Sequence, residues 1–122
     1  MKQILIVEDK PASRELLRTV LERQGYGVIE AEDGEDALVK LKDFLPDLVL
    51  LDLQMPARNG YDVLKEMRKD DRLASVPVVA ITANAMPEDR EKVAAAGFNG
   101  YIAKPVALAR LREEVHRLIG DK

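Results

Sequence analysis

The sequence predicts an α/β fold in which a parallel five-stranded sheet lies between two layers of helices. Short apolar runs alternate five times with segments of helical periodicity along the 122 residues. The third run, residues 48–51, is apolar at every position, as in a strand covered by helices on both faces. Since crossovers between parallel strands are right-handed, five such βα units predict a doubly wound three-layer sandwich. The length is that of one domain, and we assign residues 1–122 to it.

The five predicted strands are the apolar runs themselves. The second run is the weakest and is therefore interpreted as an edge strand. In chain order the runs are residues 4–7, 28–31, 48–51, 76–81 and 100–103.

Proline, glycine and capping residues predict where the helices begin and end. Pro11 suits the first turn of the first helix, and Gly25 is placed to close it. Asp33 and Gly34 begin the second helix, which we expect to stop at Pro46. The later signals are Asn59 as an N-cap, Pro87 with Glu88 and Asp89 in a first turn, and Gly97 at a helix end.

Apolar residues at helical spacing mark the faces that should pack on the sheet. The only histidine, His116, follows core-facing Val115 and should therefore lie off the core face, without a catalytic or metal-binding role. The predicted core positions are Leu16, Leu17, Val20 and Leu21, then Ala37, Leu38, Leu41 and Phe44, then Tyr61, Leu64 and Met67, and last Leu108, Leu111, Val115, Leu118 and Ile119.

Composition excludes several kinds of function. The absence of cysteine excludes disulfides, thiol catalysis and thiolate metal sites. An aromatic content of 4% and a net charge of −3 argue against nucleic-acid binding. No apolar run approaches the about 18–20 residues of a membrane span. We expect a soluble cytoplasmic protein with no direct nucleic-acid contact and no membrane insertion.

Polar residues follow four of the five predicted strands. In doubly wound folds, ligands bind beyond the carboxyl ends of the strands, so these side chains should meet at one edge of the sheet. The five polar residues are Glu8 and Asp9 after the first strand, Asp52 after the third, Thr82 at the end of the fourth, and Lys104 after the fifth. Ala83 follows Thr82, and Pro105 follows Lys104.

The carboxylates in this set should repel one another. Two unit charges about 4 Å apart repel by about 4 kcal/mol at an effective dielectric constant of about 20. Lys104 alone cannot neutralise Glu8, Asp9 and Asp52, so the cluster implies either raised pKa values or a bound cation. Oxygen ligands select a hard cation, and a small open site with few carboxylates suits Mg²⁺.

The same residue types suit phosphoryl transfer. With a cation screening it, Asp52 could attack phosphorus as a nucleophile. Lys104 and the Thr82 hydroxyl could each hold a phosphoryl oxygen, and the small side chain of Ala83 should leave its backbone amide accessible.

Four segments carry a resemblance to a known family. "ILIVED", "DLVLLDLQMPARNG", "VVAITANAM" and "YIAKP" resemble, in order and spacing, the receiver domain of two-component response regulators. The segment "ITANAMPEDREKVAAAGFNGYIAKPV" is similar to single-domain regulators of the DivK type and to receivers of hybrid histidine kinases. The resemblance implies a flavodoxin-like (βα)5 fold with strand order 2-1-3-4-5.

The resemblance also implies a function in a phosphorelay. Asp52 would accept a phosphoryl group from the phosphohistidine of a histidine kinase or a histidine phosphotransfer protein. Mg²⁺ would be held by Asp9, Asp52 and the main-chain carbonyl of Gln54, with Glu8 acting through water.

Further residues take roles by resemblance alone. Thr82 and Tyr101 would act as switch residues, and Lys104 would contact the phosphoryl group. Pro105 would follow a cis peptide. The change would reach a downstream protein through the face of the fourth helix, fifth strand and fifth helix.

The resemblance also bears on docking and on signal lifetime, and the two lifetime positions, Gln54 and Asn84, vary within the family. The first helix and neighbouring loops, near Arg14, Leu17 and Pro105, would contact the phosphodonor by resemblance. Gln54 and Asn84 flank the path of a water attacking the phosphoryl group, so their amides would influence how long it lasts.

Three other functions fit the sequence less well. Mg²⁺-dependent phosphatases with an aspartyl-phosphate intermediate typically carry a second Asp where Gln54 stands here. A pseudo-receiver, never phosphorylated, usually lacks an acid, the acceptor or the lysine, and all are present. A flavin-binding protein of the same fold needs a phosphate loop, whereas "EDKPAS" is acidic and lacks glycine. We therefore expect a switch and not a multiple-turnover enzyme.

Overall fold

The computed structural model describes residues 1–55, 59–83 and 86–120. Within them, five parallel strands form one sheet, with the second strand along the chain at one edge and the fifth at the other. The predicted strand order 2-1-3-4-5 is confirmed. The strands are β1 (Gln3–Val7), β2 (Gly27–Ala31), β3 (Leu48–Asp52), β4 (Val78–Thr82) and β5 (Gly100–Ala103).

Helices connect the strands, and most of their predicted ends are confirmed. The Asp33 and Asn59 side chains each accept a backbone N–H three residues ahead, as N-caps do. Gly97 closes a helix with a φ of 104°, which favours glycine. The helices are α1 (Pro11–Arg23), α2 (Gly34–Leu41), α3 (Gly60–Lys69), α4 (Pro87–Ala96) and α5 (Leu108–Ile119).

Two apolar cores lie on opposite faces of the sheet. Along β1, Leu5 and Val7 point to a core formed with α2, α3 and α4, whereas Ile4 and Ile6 point to a core formed with α1 and α5. This alternation follows from the two-residue period of a strand. Every residue of β3 and β4 is buried, as the uninterrupted apolar runs predict.

Some predicted positions are wrong. Leu16 is 52% exposed and Leu108 is 38% exposed, because their neighbours Leu17 and Leu111 take the core positions. α2 ends at Leu41, well before Pro46, through tighter turns in which the amides of residues 42 and 43 bond carbonyls three residues back.

The fourth strand also differs, because it begins at Val78 and not at Val76. The Val76 amide bonds the Leu73 carbonyl in a turn, and Pro77, which has no N–H to donate, separates that turn from the sheet.

A buried carboxylate that the apolar pattern does not predict joins α5 to β5. Glu114 is 6% exposed and forms ion pairs with Arg110 and Arg117. Arg110 also donates to the Tyr101 carbonyl at 2.9 Å, and Arg117 donates to the Asn99 carbonyl at 2.8 Å. The two arginines therefore attach α5 to the backbone of β5 and of Asn99, the residue before it.

No helix in the described part of the chain is long and apolar enough to cross a bilayer.

Candidate functional site

The predicted site residues meet at the carboxyl edge of the sheet. Asp52 is the last residue of β3 and is 1% exposed, and buried Thr82 ends the neighbouring strand β4. Lys104 follows β5 and places its Nζ 2.8 Å from Asp52 Oδ2 and 3.6 Å from Glu8 Oε1. The sheet thus brings together side chains separated by up to 96 positions in sequence.

Three carboxylates crowd this edge. One oxygen from each of Glu8, Asp9 and Asp52 lies within 4.8 Å of the others. Glu8 Oε2 and Asp9 Oδ1 are buried, and no hydrogen-bond donor in the described residues reaches either of them. Buried oxygens of this kind are normally paired, so the cluster has unused capacity for a proton or a cation.

The crowding shifts the pKa values of Glu8 and Asp52 in opposite directions. Burial, followed by hydrogen bonding to Asp52 and the charge of Asp52, raises the pKa of Glu8 from 4.5 to about 7. Burial also acts to raise the pKa of Asp52, but hydrogen bonds from protonated Glu8, from Lys104 and from the Gln54 amide outweigh it and hold that pKa below 3.8.

Lys104 stays charged in this setting. Burial alone would lower its pKa, but its contacts with Asp52 and Glu8 raise the pKa above 10.5. One permanent positive charge therefore lies against an ionised Asp52 and a Glu8 that readily takes a proton.

Gln54 contacts both sides of the site. Its backbone N–H donates to Asp52 Oδ1 at 2.9 Å, and its side-chain Oε1 accepts from the Ala83 amide at 2.9 Å. Ala83 is exposed, and its small side chain leaves the amide uncovered, but the N–H already donates to Gln54. Asn84 and Pro56 lie outside the described residues, so the expectation for Asn84 stays a prediction.

Arg14 has a role that the sequence did not reveal. Its Nη1 donates to the Glu8 carbonyl at 3.0 Å, and its Nε lies 3.6 Å from a carboxylate oxygen of Glu30 on β2. The expected docking residue thus holds the turn that carries the acid pair. The only available signal was an arginine one turn into the helix that follows two strand-end acids.

The two expected switch residues lie on adjacent strands. Tyr101, on β5, is half-buried against the core on the α3 side, and the Arg90 guanidinium lies 5.5 Å from the centre of its ring. The Thr82 carbonyl accepts the Lys104 amide at 2.9 Å, which joins the ends of β4 and β5. The expected cis peptide before Pro105 is confirmed.

A pocket of about 230 Å³ opens beside the carboxylates. Glu8, Asp52 and Lys104 line one part of it, and apolar side chains that include Leu16 and Val106 line the rest. His116 is exposed on α5, as the sequence predicts.

A family model for the response regulator receiver domain matches residues 4–116. The chain belongs to the response regulator receiver family. The resemblance seen in the sequence and the flavodoxin-like fold are therefore both confirmed.

Single-domain receivers are among the relatives. The polar-differentiation response regulator DivK of Brucella anthropi is 38% identical over 120 residues, which cover 98% of each chain. DivK of Brucella ovis is 37% identical over the same share of both chains. The protein is thus a DivK-like receiver of two-component signalling.

Solved structures of receiver domains have the same fold as this chain. The receiver domain of the sensor histidine kinase PA1611 of Pseudomonas aeruginosa, with a magnesium ion coordinated in its active-site cleft, is 36% identical, with a TM-score of 0.89 over 98% of both chains. The chemotaxis response regulator CheY4 of Vibrio cholerae is 28% identical, with a TM-score of 0.92 over 98% of this chain and 99% of that one.

Proposed function

We propose that the protein is a phosphorylatable switch in which Asp52 accepts a phosphoryl group from the phosphohistidine of a histidine kinase or a histidine phosphotransfer protein. The observation that carries this assignment is the setting of Asp52. It ends a fully buried strand, pairs with Lys104 and faces two further carboxylates. A carboxylate serving only as a turn or helix cap has no need of an ammonium partner at 2.8 Å.

The chemistry divides among the residues at the sheet edge. One carboxylate oxygen of Asp52 forms a bond to phosphorus, while the N–P bond of the phosphohistidine breaks and the imidazole nitrogen keeps the bonding pair. The low pKa of Asp52 keeps this nucleophile ionised. Lys104 supplies positive charge for the phosphoryl oxygens, and the Thr82 hydroxyl offers a further contact.

Receiver domains bind Mg²⁺ at an acidic site, and the residues of this chain fit such an ion. The fit rests on the buried, unpaired oxygens of Glu8 and Asp9, because hard cations take oxygen ligands. We assign direct contacts to Asp9, Asp52 and the Gln54 main-chain carbonyl, and a contact through water to Glu8. Bound Mg²⁺ would neutralise charge on the carboxylates and on the transferring group.

Phosphorylation would change the face made by α4, β5 and α5. The aspartyl phosphate carries about 1.5 to 2 negative charges. It replaces the single charge of the ionised Asp52 carboxylate. Thr82 would move toward the new oxygens, and Tyr101 would turn into the space that it leaves. A downstream protein would then read the altered face, as in other two-state elements biased by a local charge.

The phosphodonor would dock over the pocket beside Asp52. Leu16 is half-exposed on α1 although it is large and apolar, and it lines this pocket together with Leu17 and Pro105. An apolar surface next to the acceptor suits a protein partner that must bring its histidine to Asp52.

Modification by a small phosphodonor tests the assignment. Acetyl phosphate with Mg²⁺ should add the mass of one phosphoryl group to the wild-type protein, measured by intact mass spectrometry. Asp52→Ala should gain nothing, because the nucleophile is gone. Asp71→Ala, which removes an exposed carboxylate, is the matched control and should be modified normally. A phosphoryl mass on the Asp52→Ala protein would contradict the assignment.

Two other outcomes, the first in this assay and the second in a turnover assay, would favour the other functions. No modification of the wild-type protein would favour a pseudo-receiver that acts only through protein contacts. Multiple turnover on a free phosphomonoester would favour a phosphatase. We propose neither, because Asp52 and Lys104 are paired in the site and Gln54 stands where a phosphatase would carry its acid–base Asp.

A further inference from the structure

One side chain joins the loops that follow β3 and β4. Gln54 Oε1 accepts from the Ala83 amide at 2.9 Å, while the Gln54 backbone N–H donates to Asp52 Oδ1 at 2.9 Å. Because a backbone N–H can only donate, the end of the Gln54 side chain that faces it must be the carbonyl oxygen. Both residues are exposed, so core packing does not force this contact.

The Ala83 amide belongs to the same sheet edge as Asp52. In the pairing of β3 with β4, Asp52 lies opposite Ile81, and the Leu53 amide bonds the Ile81 carbonyl at 2.9 Å. Ala83 is thus two residues beyond the partner of Asp52, and one glutamine residue reaches from it to the Asp52 carboxylate. A backbone N–H so placed is a suitable donor to an oxyanion, and the methyl side chain of Ala83 does not cover it.

We infer that Gln54 restrains phosphorylation by occupying the backbone donor that a phosphoryl oxygen on Asp52 would use. In the unphosphorylated protein, the Gln54 carbonyl takes the Ala83 N–H. In the phosphorylated protein, a phosphoryl oxygen takes this N–H and the Gln54 side chain turns to solvent. This role depends on Asp52 being the phosphoacceptor, as proposed above.

The competition between the Gln54 carbonyl and a phosphoryl oxygen for the Ala83 N–H favours the phosphoryl oxygen. A charged phosphoryl oxygen accepts more strongly than a neutral amide oxygen, so it displaces Gln54. The bond to Gln54 must first break, however, and its loss reduces the net gain. A hydrogen bond of this kind changes an equilibrium constant by a factor of about two to ten, so removing the Gln54 carbonyl should favour the phosphorylated form by that factor.

Gln54→Met tests the competition, because it keeps the length of the side chain and removes its amide. The probe is beryllofluoride with Mg²⁺, a mimic of the phosphoryl group, titrated while the amide NMR signals are followed. We expect Gln54→Met to bind beryllofluoride about two- to tenfold more tightly than the wild-type protein. Gln24→Met, the same substitution at the C-terminal end of α1, should bind it as the wild type does.

Hydrogen exchange of the Ala83 amide, measured without beryllofluoride, tests the contact itself. This amide should exchange faster in Gln54→Met than in the wild-type protein and Gln24→Met.

The outcomes of these experiments distinguish the role given to Gln54 from the assignment of Asp52 as the phosphoacceptor. Equal or weaker beryllofluoride binding by Gln54→Met, or unchanged exchange at Ala83, would overturn the competition and leave Asp52 as the phosphoacceptor. Failure of the wild-type protein to bind beryllofluoride would overturn the phosphoacceptor assignment and, with it, the role given to Gln54.

Discussion

Glu8 and Asp52 are neighbours in one buried site, yet their pKa values move apart. Burial alone would raise both. Asp52 receives Lys104 at 2.8 Å and the Gln54 amide at 2.9 Å, whereas Glu8 has Lys104 only at 3.6 Å. The better-paired carboxylate therefore stays ionised, and its neighbour takes the proton. This difference in pKa suits a site in which only one carboxylate acts as the nucleophile.

The pH dependence of Glu8 follows from this pairing. In protein free of metal, the Glu8 carboxyl should titrate near pH 7 when followed by carbon-13 NMR. Asp52→Asn should move this midpoint down, because it removes the neighbouring negative charge and leaves a neutral amide oxygen, which is a weaker acceptor for the Glu8 proton. Asp71→Asn, an exposed control, should leave it unchanged. A wild-type midpoint near 4.5 would contradict the assignment.

The raised pKa of Glu8 also makes the stability of the fold depend on pH. Because the folded pKa of Glu8 exceeds its unfolded value of 4.5, the folded state binds this proton more tightly than the unfolded state does. The contribution of Glu8 is therefore fully present below pH 4.5 and is lost as the pH rises through about 7. Glu8→Gln should lack this loss when the free energy of unfolding is measured across that range.

Site residues differ in how far a sequence can predict them. The meeting of Asp52 with Lys104 was predictable, because parallel topology brings strand ends to one edge whatever their separation in sequence. The bond between Gln54 and Ala83 was not, because it depends on the conformations of two loops that have no periodic pattern.

At the scale of elements, α1 is joined to the site by Arg14. Its guanidinium bonds the Glu8 carbonyl at 3.0 Å, and its closest approach to a carboxylate oxygen of Glu30 is 3.6 Å. Arg18, one turn later, also pairs with Glu30 but is more exposed and bonds neither acid's carbonyl in the described contacts. The two arginines therefore share a partner and differ in their contact with the site.

Replacing each arginine by methionine separates these contacts. Arg14→Met should weaken Mg²⁺ binding about two- to tenfold, since it removes a hydrogen bond that orients the acid pair. Arg18→Met is the matched control and should keep the wild-type affinity. Mg²⁺ titrations followed by amide NMR shifts would measure both. Each substitution removes one positive charge, and that change alone would tighten Mg²⁺ binding in both variants. Unchanged or tighter binding by Arg14→Met would therefore contradict the orienting role of its contact with the Glu8 carbonyl.

The helical patterns in the sequence predicted which helices form better than they predicted the contacts of individual residues. A stripe with adjacent leucines, such as Leu16 and Leu17, does not say which of them faces the sheet, and here Leu17 does. A buried charge is also invisible to an apolar pattern. Glu114 had one local signal, namely arginines at i−4 and i+3, although such triplets are usually solvated.

In the molecule as a whole, an apolar core lies on each face of the sheet. This arrangement was predictable, because the uninterrupted apolar run at β3 indicates a strand that is covered on both faces. The edge strand β5 needs more than apolar packing, because a neighbouring strand covers only one side of it. Glu114 and its two arginines supply a polar attachment there. Global stability should therefore depend on a residue outside both cores.

Glu114→Gln tests this attachment in chemical denaturation. Burial acts to raise the pKa of Glu114, but hydrogen bonds from Arg117 and Arg110 outweigh it and hold the pKa below 4.5. Its contribution is thus present above pH 4.5 and is lost as the pH falls through the lowered pKa.

The variant should lose about 1–2 kcal/mol of unfolding free energy at neutral pH, less than a fully buried pair because both arginines are partly exposed. The difference should shrink in acid. Glu113→Gln, exposed on the same helix, should match the wild-type protein. A loss that stays constant with pH would mean that packing, and not charge, accounts for the effect.

The close fit of Glu114 beneath β5 also limits how the sequence can change. A Cβ atom at Gly100 would collide with Glu114 Oε2. Arg117 pairs with this oxygen, and Arg110 pairs with Oε1 of the same carboxylate. Any side chain at position 100 would therefore require the Glu114 carboxylate and its arginine partners to shift. A smaller residue at position 114 would remove this obstacle. The two positions are thus sterically coupled, and a substitution at Gly100 should cost less stability when it is combined with one that shortens residue 114.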